Sequence, residues 1–288
     1  MKRLLIVSAI IGLFGAGCKE PAPVQLEDDP DAFEASALEQ ADPSLDLKAI
    51  DTTGITPKDQ ERITGYLLVN ELKYDDGGPV VRRFAYSSAL FGDRSRPVQI
   101  LTHIFGYFGV PVRSLTLNGA PMVVRPHIVR LRGLQRDTVA GFEYVQDLTA
   151  TYQPNQRYTW GIQPFLGDSL AIPIQSPEEL IVYSPAGGSI VSRDRALLVR
   201  WRGRGNLTII VSAVNPFSDK PIPFLSLSPR VNREFGIVPV KVLSSMRPGT
   251  YLFTFILWNR YKIPSVALGS AEILVQAASV YTTRFALQ

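Results

Sequence analysis

Residues 180–202 read LIVYSPAGGSIVSRDRALLVRWR, and this stretch decides the fold class. Leu180–Tyr183 is a short apolar run of the length a strand uses. Ser184-Pro185-Ala186-Gly187-Gly188 stops it, because proline fixes φ and glycine accepts positive φ. Alternation then resumes over Ala196–Trp201, with Leu197, Val199 and Trp201 on one face. A period of two is the mark of a half-buried strand, and it sends Arg200 and Arg202 to the face opposite Trp201. Gly203-Arg204-Gly205-Asn206 supplies the next turn.

The same punctuation extends in both directions. Downstream, Leu207–Val214, Phe224–Leu227, Phe235–Leu243, Thr250–Arg260 and Ala271–Val275 read as strands. Seven or so strands in about 110 residues is an immunoglobulin-like count. Thr250–Trp258 is apolar on both faces, which predicts a central strand covered on both sides. Upstream, Gly65–Val69 and Val80–Tyr86 flank the turn Asp75-Asp76-Gly77-Gly78-Pro79. Ser114–Leu117 leads into Asn118-Gly119, a pair suited to the positive φ values of a type I′ hairpin, and Met122–Leu131 is its return. Further strands are expected at Ala140–Tyr144 and Arg157–Ile162. Pro97–Phe108 fits two readings. Val98, Leu101, Phe105 and Phe108 are spaced for a helix face, while Thr102, Ile104, Tyr107 and the glycines suit an irregular strand pair, the form favoured here. The 22 prolines and 22 glycines, spread along the chain, agree with many short strands.

Leu180–Arg202 resembles the opening of bacterial Ig-like and fibronectin-type-III-like envelope domains, in which an SP.GG turn precedes a strand ending in Trp and Gly. Leu115-Thr116-Leu117-Asn118-Gly119-Ala120-Pro121 resembles the V-x-V-N-G-x-P hairpin of similar modules. The resemblance implies fold and not chemistry. The expected architecture is all-β, with two tandem Ig-like sandwiches over 61–175 and 176–288, divided near Ile174-Gln175-Ser176-Pro177.

The N-terminus MKRLLIVSAIIGLFGAGC has a charged start at Lys2 and Arg3, an apolar run over Leu4–Phe14, and a small-residue run before Cys18. That is the layout of a secretory signal over 1–17. As a helix, Leu4–Gly17 would reach about 21 Å, short of the roughly 30 Å of a bilayer core. The site resembles the lipobox of bacterial lipoproteins, although Gly15 stands where leucine is usual. The resemblance implies diacylglyceryl transfer to the Cys18 thiol, cleavage before it and membrane attachment through it. Lys19 implies, by the same resemblance, the outer membrane or cell surface. Ordinary cleavage after Gly17 is the alternative, giving a periplasmic or secreted protein.

Residues 18–51 hold two lysines against ten acidic groups and few aromatics, so 18–60 is expected to be a flexible acidic linker. Asp31 with Glu34 suits the cap of a brief helix over Ala32–Ala41. Residues 52–288 carry 26 basic and 16 acidic groups, 21 of the basic ones arginine. A basic face attracts polyanions, but arginine also forks onto neighbouring carboxylates on strand surfaces. Export makes nucleic acid the partner least expected.

No catalytic constellation stands out. His103 and His127 are 24 residues apart without a metal-ligand spacing, and the arginines flanking His127 disfavour both a metal and a protonated imidazole. No nucleophile elbow, P-loop or dinucleotide fingerprint is present. No cofactor or metal is expected. Asp75, Asp76, Asp147, Asp168, Glu178, Glu179 and Asp194 are carboxylates in turns or before strands, with no pair singled out. Two functional readings follow. The first is a membrane-anchored, non-enzymatic structural or binding lipoprotein, with Arg130 and Arg132, or Arg200 and Arg202, facing an acidic glycan, lipid headgroup or envelope protein. The second is a carbohydrate-active protein, with paired carboxylates and Tyr152, Tyr158 and Trp160 exposed for stacking.

Overall fold

A computed structural model describes residues 33–37, 63–100, 103–131, 136–216, 221–229, 234–265 and 270–288. The fold is an all-β sandwich with one short helix among the described residues. The first half contributes β1 (Phe33–Ala37), β2 (Gly65–Asp75), β3 (Arg82–Ile100), β4 (His103–Gly109), β5 (Ser114–Leu117), β6 (Ala120–Pro121), β7 (Val123–Leu131), β8 (Arg136–Asp147), β9 (Arg157–Gln163) and β10 (Leu170–Gln175). The second contributes β11 (Ile181–Ser184), β12 (Ile190–Val191), β13 (Leu197–Arg202), β14 (Asn206–Val214), β15 (Pro221–Pro229), β16 (Phe235–Val238), α1 (Val240–Ser245), β17 (Gly249–Ser265) and β18 (Ser270–Leu287).

One eleven-stranded sheet forms the base, in the order β1-β15-β14-β17-β18-β2-β3-β4-β8-β7, with β12 added beside β18. Two small sheets contribute to the cores it supports, β10-β9-β5-β6 to one and β11-β13-β16 to the other. The side-chain period of two explains how one sheet serves both cores. Along β18, Ile273, Val275 and Ala277 belong to the core built with β5, β9 and β10. Further along the same face, Tyr281, Phe285 and Leu287 belong to the core built with β11 and β13. β17 runs antiparallel to β18 and does the same in reverse, with Tyr251, Phe253, Phe255 and Leu257 in one core and Ile263 against the other.

The two sandwiches are therefore joined through a common sheet, and the crossing at 174–177 separates the cores without separating the strands. β18 pairs in parallel with β2, 208 residues distant at Ser279 and Glu71. Such pairing leaves no local trace in the sequence.

Several local expectations match. Asn118 and Gly119 have φ of 50° and 81° and turn β5 into β6, as a type I′ hairpin needs. Val199 and Trp201 are buried while Arg200 and Arg202 are exposed. Thr250–Trp258 lies in β17 between β14 and β18, with Phe255 and Ile256 both fully buried on opposite faces. Of Pro97–Phe108, the described residues 97–100 and 103–108 fall on the strand pair β3–β4, and a register shift ends at Pro97, where the missing N–H does least harm.

Two expectations are corrected. Residues 33–37, assigned to the flexible linker and to a short helix, instead pair as β1 with β15. Phe33 is fully buried, with its ring 6.0 Å from that of Trp201. Gly236 makes room for it, since a Cβ there would lie 2.5–2.9 Å from three ring carbons of Phe33. Phe235–Leu243, expected as one strand, breaks at Pro239, and Val240–Ser245 continues as α1.

Candidate functional site

Between the two cores the inward positions of four neighbouring strands turn polar. They are Asn259 and Tyr261 on β17, Ser279 on β18, Glu71 and Lys73 on β2, and Arg83 on β3. This row is a seam, and the chain crosses it over 175–180 on its way from β10 to β11. At one end the seam is closed by charge; at the other it opens to solvent.

At the closed end, the Glu71 carboxylate is 1% exposed. It accepts from Arg83 Nε at 2.6 Å and Ser279 Oγ at 2.9 Å, and Lys73 Nζ lies 3.6 Å away. Lys73, buried in turn, donates to Glu179 at 2.8 Å and to the Leu180 carbonyl at 3.2 Å. A buried charge without partners is costly, and here each has at least two. The hydrogen bond from Lys73 holds the Glu179 carboxyl below its ordinary range. Beyond them Asp75 accepts from the Gly187 amide at 2.9 Å and the Tyr281 hydroxyl at 3.3 Å, tying β2 to the 184–188 turn. These groups are occupied in holding the two halves together.

At the open end lies a groove of about 460 Å³ lined by Arg157, Pro173, Ile174, Gln175, Asn206, Asn259, Arg260 and Tyr261. Arg157 opens β9 opposite Gln175 of β10, and Asn206 opens β14 opposite Trp258 of β17. Strand ends thus bring the lining together from both sides of the seam. Asn259 Nδ2 donates to the Gln175 carbonyl at 2.9 Å, and the Tyr261 hydroxyl donates to the Pro173 carbonyl. Gln175 Nε2 donates to the Asn155 side chain at 3.1 Å. The Arg260 guanidinium lies 3.8 Å over the Trp258 ring. No carboxylate lines the groove, and Arg157 has no ion-pair partner among the described residues. Burial pushes the Tyr261 phenol up, and the positive charge of Arg157 opposes it, which places the two within electrostatic reach.

The residues singled out from sequence are dispersed. Cys18 and Arg132 lie outside the described residues. Arg130 sits in β7 opposite Asp137, while Arg200 and Arg202 sit in β13 of a different sheet, so the two arginine pairs do not share a strand ladder. His103 falls in β4 opposite Ile100. His127 Nδ1 is 3.3 Å from Glu143, which also accepts from Arg125 at 2.7 Å. The neighbourhood of His127 is thus not simply cationic. Burial, the strongest single influence, pushes the Glu143 carboxyl up, but the bonds from His127 and Arg125 together hold it below its ordinary value.

Tyr152, Tyr158 and Trp160, expected to be exposed for stacking on sugar, are buried in the core, with exposures of 4%, 2% and 0%. On β9 the alternation of Tyr158, Trp160 and Ile162 against Arg157, Thr159 and Gly161 explains this. Of the loop carboxylates, Asp76 pairs with Arg82, Asp147 caps the Thr149 amide and Glu178 accepts from the Arg204 amide. Tyr261, Asn259 and Asn206 were not singled out by sequence; Asn206 opens β14, and Asn259 and Tyr261 lie in β17 where it runs past that end of β14, where no motif marks them.

No family model matches the chain, and no curated protein matches it. Among solved structures the chain is similar to a tri-modular GH5 (subfamily 4) endo-β-1,4-glucanase from Bacillus licheniformis, with 12% identity over 74% of this chain and 37% of that one, at a TM-score of 0.23. The same enzyme complexed with cellotetraose gives 13% identity over 59% of this chain and 36% of that one, also at 0.23. The chain thus spans little more than a third of the structures it matches.

Proposed function

We propose that the chain is a membrane-anchored cell-envelope lipoprotein that acts as a non-enzymatic binding module, with the open end of the seam as its binding site. The observation that carries this reading is the groove itself. Residues of β9, β10, β14 and β17 line it, and among the described residues that lining holds Arg157, which has no ion-pair partner, and several amides but no carboxylate. That composition suits holding a ligand rather than moving protons. Support for the anchor comes from the Cys18 motif. Docking of β1 then limits the tether, because fifteen residue steps separate Cys18 from Phe33. At about 3.6 Å per step the β1 edge stands no more than about 54 Å from the acylated cysteine.

The test is fractionation of cells expressing the full chain, followed by co-sedimentation of the purified protein with insoluble envelope polysaccharide. Wild type in the membrane fraction, Cys18→Ala in the soluble fraction, and sedimentation weakened by Arg157→Glu are the expected results. Soluble wild-type protein would remove the anchor, and absence of sedimentation would remove the binding module.

A further inference from the structure

We infer that the seam groove takes an acidic saccharide, a ligand carrying a carboxylate and neighbouring hydroxyls on one face; this rests on the binding-module reading above. The lining sorts into two kinds of partner. Arg157 is an exposed donor, always charged, with a planar fork that fits a carboxylate. Three of the neutral groups have donors engaged within the fold. Asn259 Nδ2 is held by the Gln175 carbonyl, the Tyr261 hydroxyl proton by the Pro173 carbonyl, and Gln175 Nε2 by Asn155. What these three offer beyond those bonds is chiefly oxygen, the Asn259 Oδ1, the Tyr261 phenol oxygen and the Gln175 Oε1, with one remaining Asn259 amide proton.

A site with an exposed guanidinium at Arg157, a second at Arg260 held over Trp258, and several acceptors calls for a ligand that is anionic on one side and donates hydrogen bonds on the other. An acidic sugar does both. A phosphate or sulfate diester brings acceptors only, which the guanidinium groups can meet, but it leaves the three oxygens without a donor. A neutral sugar meets the acceptors and can accept from Arg157, but it gains no charge pairing there. The Tyr261 ring, 37% exposed, and Pro173 give an apolar surface of the kind the C–H face of a pyranose covers. At about 460 Å³ the groove is within the usual range for small-ligand sites, and it is open at the surface, so a chain can run through it.

The experiment is isothermal titration of the full chain in detergent with tri-galacturonate, with its trimethyl ester, and with tri-galacturonate in the presence of excess inorganic phosphate. Binding of the acid is expected, weakened at least tenfold by esterification and at least tenfold by Arg157→Gln, and unaffected by phosphate. Partial recovery in Arg157→Lys is expected, since lysine restores the charge without the fork. Equal binding of acid and ester would overturn the ligand class, as would displacement by phosphate. If the acid does not bind at all, co-sedimentation of the same preparation with envelope polysaccharide separates two failures. Retention there means that the ligand class is wrong and the module stands; no retention means that both fall.

Discussion

Replacing Glu71 by alanine should weaken the whole molecule, because it unbalances the closed end of the seam. The carboxylate is 1% exposed and accepts from Arg83 at 2.6 Å and from Ser279 at 2.9 Å. Removing one partner of a buried pair typically costs about 3–5 kcal/mol. Here the low end applies. Arg83 is 45% exposed and can turn to water, and Lys73 keeps Glu179 at 2.8 Å and the Leu180 carbonyl. A loss of about 3 kcal/mol corresponds to roughly 6–12 °C in Tm for a domain of this order of size. Urea unfolding followed by fluorescence measures it, with Glu178→Ala as the control. Glu178 is exposed, and its change should stay within about 0.5 kcal/mol. Trp201 lies in one core, Trp160 in the other and Trp258 against a third cluster, so Trp160→Phe and Trp201→Phe, each combined with Trp258→Phe, report the two cores separately. Because β17 and β18 pass through both cores, the wild-type midpoints should coincide. A Glu71→Ala loss below about 1 kcal/mol would refute the reasoning, since the carboxylate would then be shown to do little for the seam.

Three further outcomes are expected. Phe33→Ala, or Gly236→Val from the opposite side, should release β1 and abolish hydrogen-exchange protection over 33–37, while both cores stay protected. Loss of protection throughout would contradict β1 as an independently detachable edge. On acidification, stability should be full above about pH 4.5, where the unfolded carboxyls are ionised, and fall as pH drops through the lowered values of Glu143 and Glu179, because the unfolded chain then binds more protons than the folded one. Urea midpoints at pH 6 and pH 3 check this, and Glu143→Gln should reduce the difference. At the alkaline end, burial and then the Asp75 charge push the Tyr281 phenol up to about 12. Stability should therefore decline as pH rises from about 10, where the unfolded phenol ionises, towards 12. In a 295 nm titration, Tyr281→Phe should remove a late step, and Asp75→Asn should move that step to lower pH.

Much of the fold was legible because it is written in short-range chemistry. The alternation over 196–202, the Asn118-Gly119 turn and the double-sided run over 250–258 each depend on residues close in sequence. The common sheet was not legible, since the parallel contact of Ser279 with Glu71 spans 208 positions and either strand alone reads as ordinary. Phe33 escaped for a related reason. One aromatic in an acidic stretch carries no period, and the hole it fills is made by Gly236, some two hundred residues away. The aromatic reading erred differently. The alternation that buries Tyr158 and Trp160 was already present in RYTWGI, and applying the period of two there would have turned both rings inward. The groove residues sit where β9 and β14 begin and where β17 runs past the end of β14, positions that only the sheet register brings together.

The intact mass of the mature N-terminal peptide, taken from membranes of cells making the full chain, tests the anchored reading most directly. A peptide beginning at Cys18 and carrying a diacylglyceryl group, absent together with membrane retention in Cys18→Ala, is the expected result. An unmodified N-terminus on soluble protein would contradict it, and would leave the seam groove to be explained without a membrane.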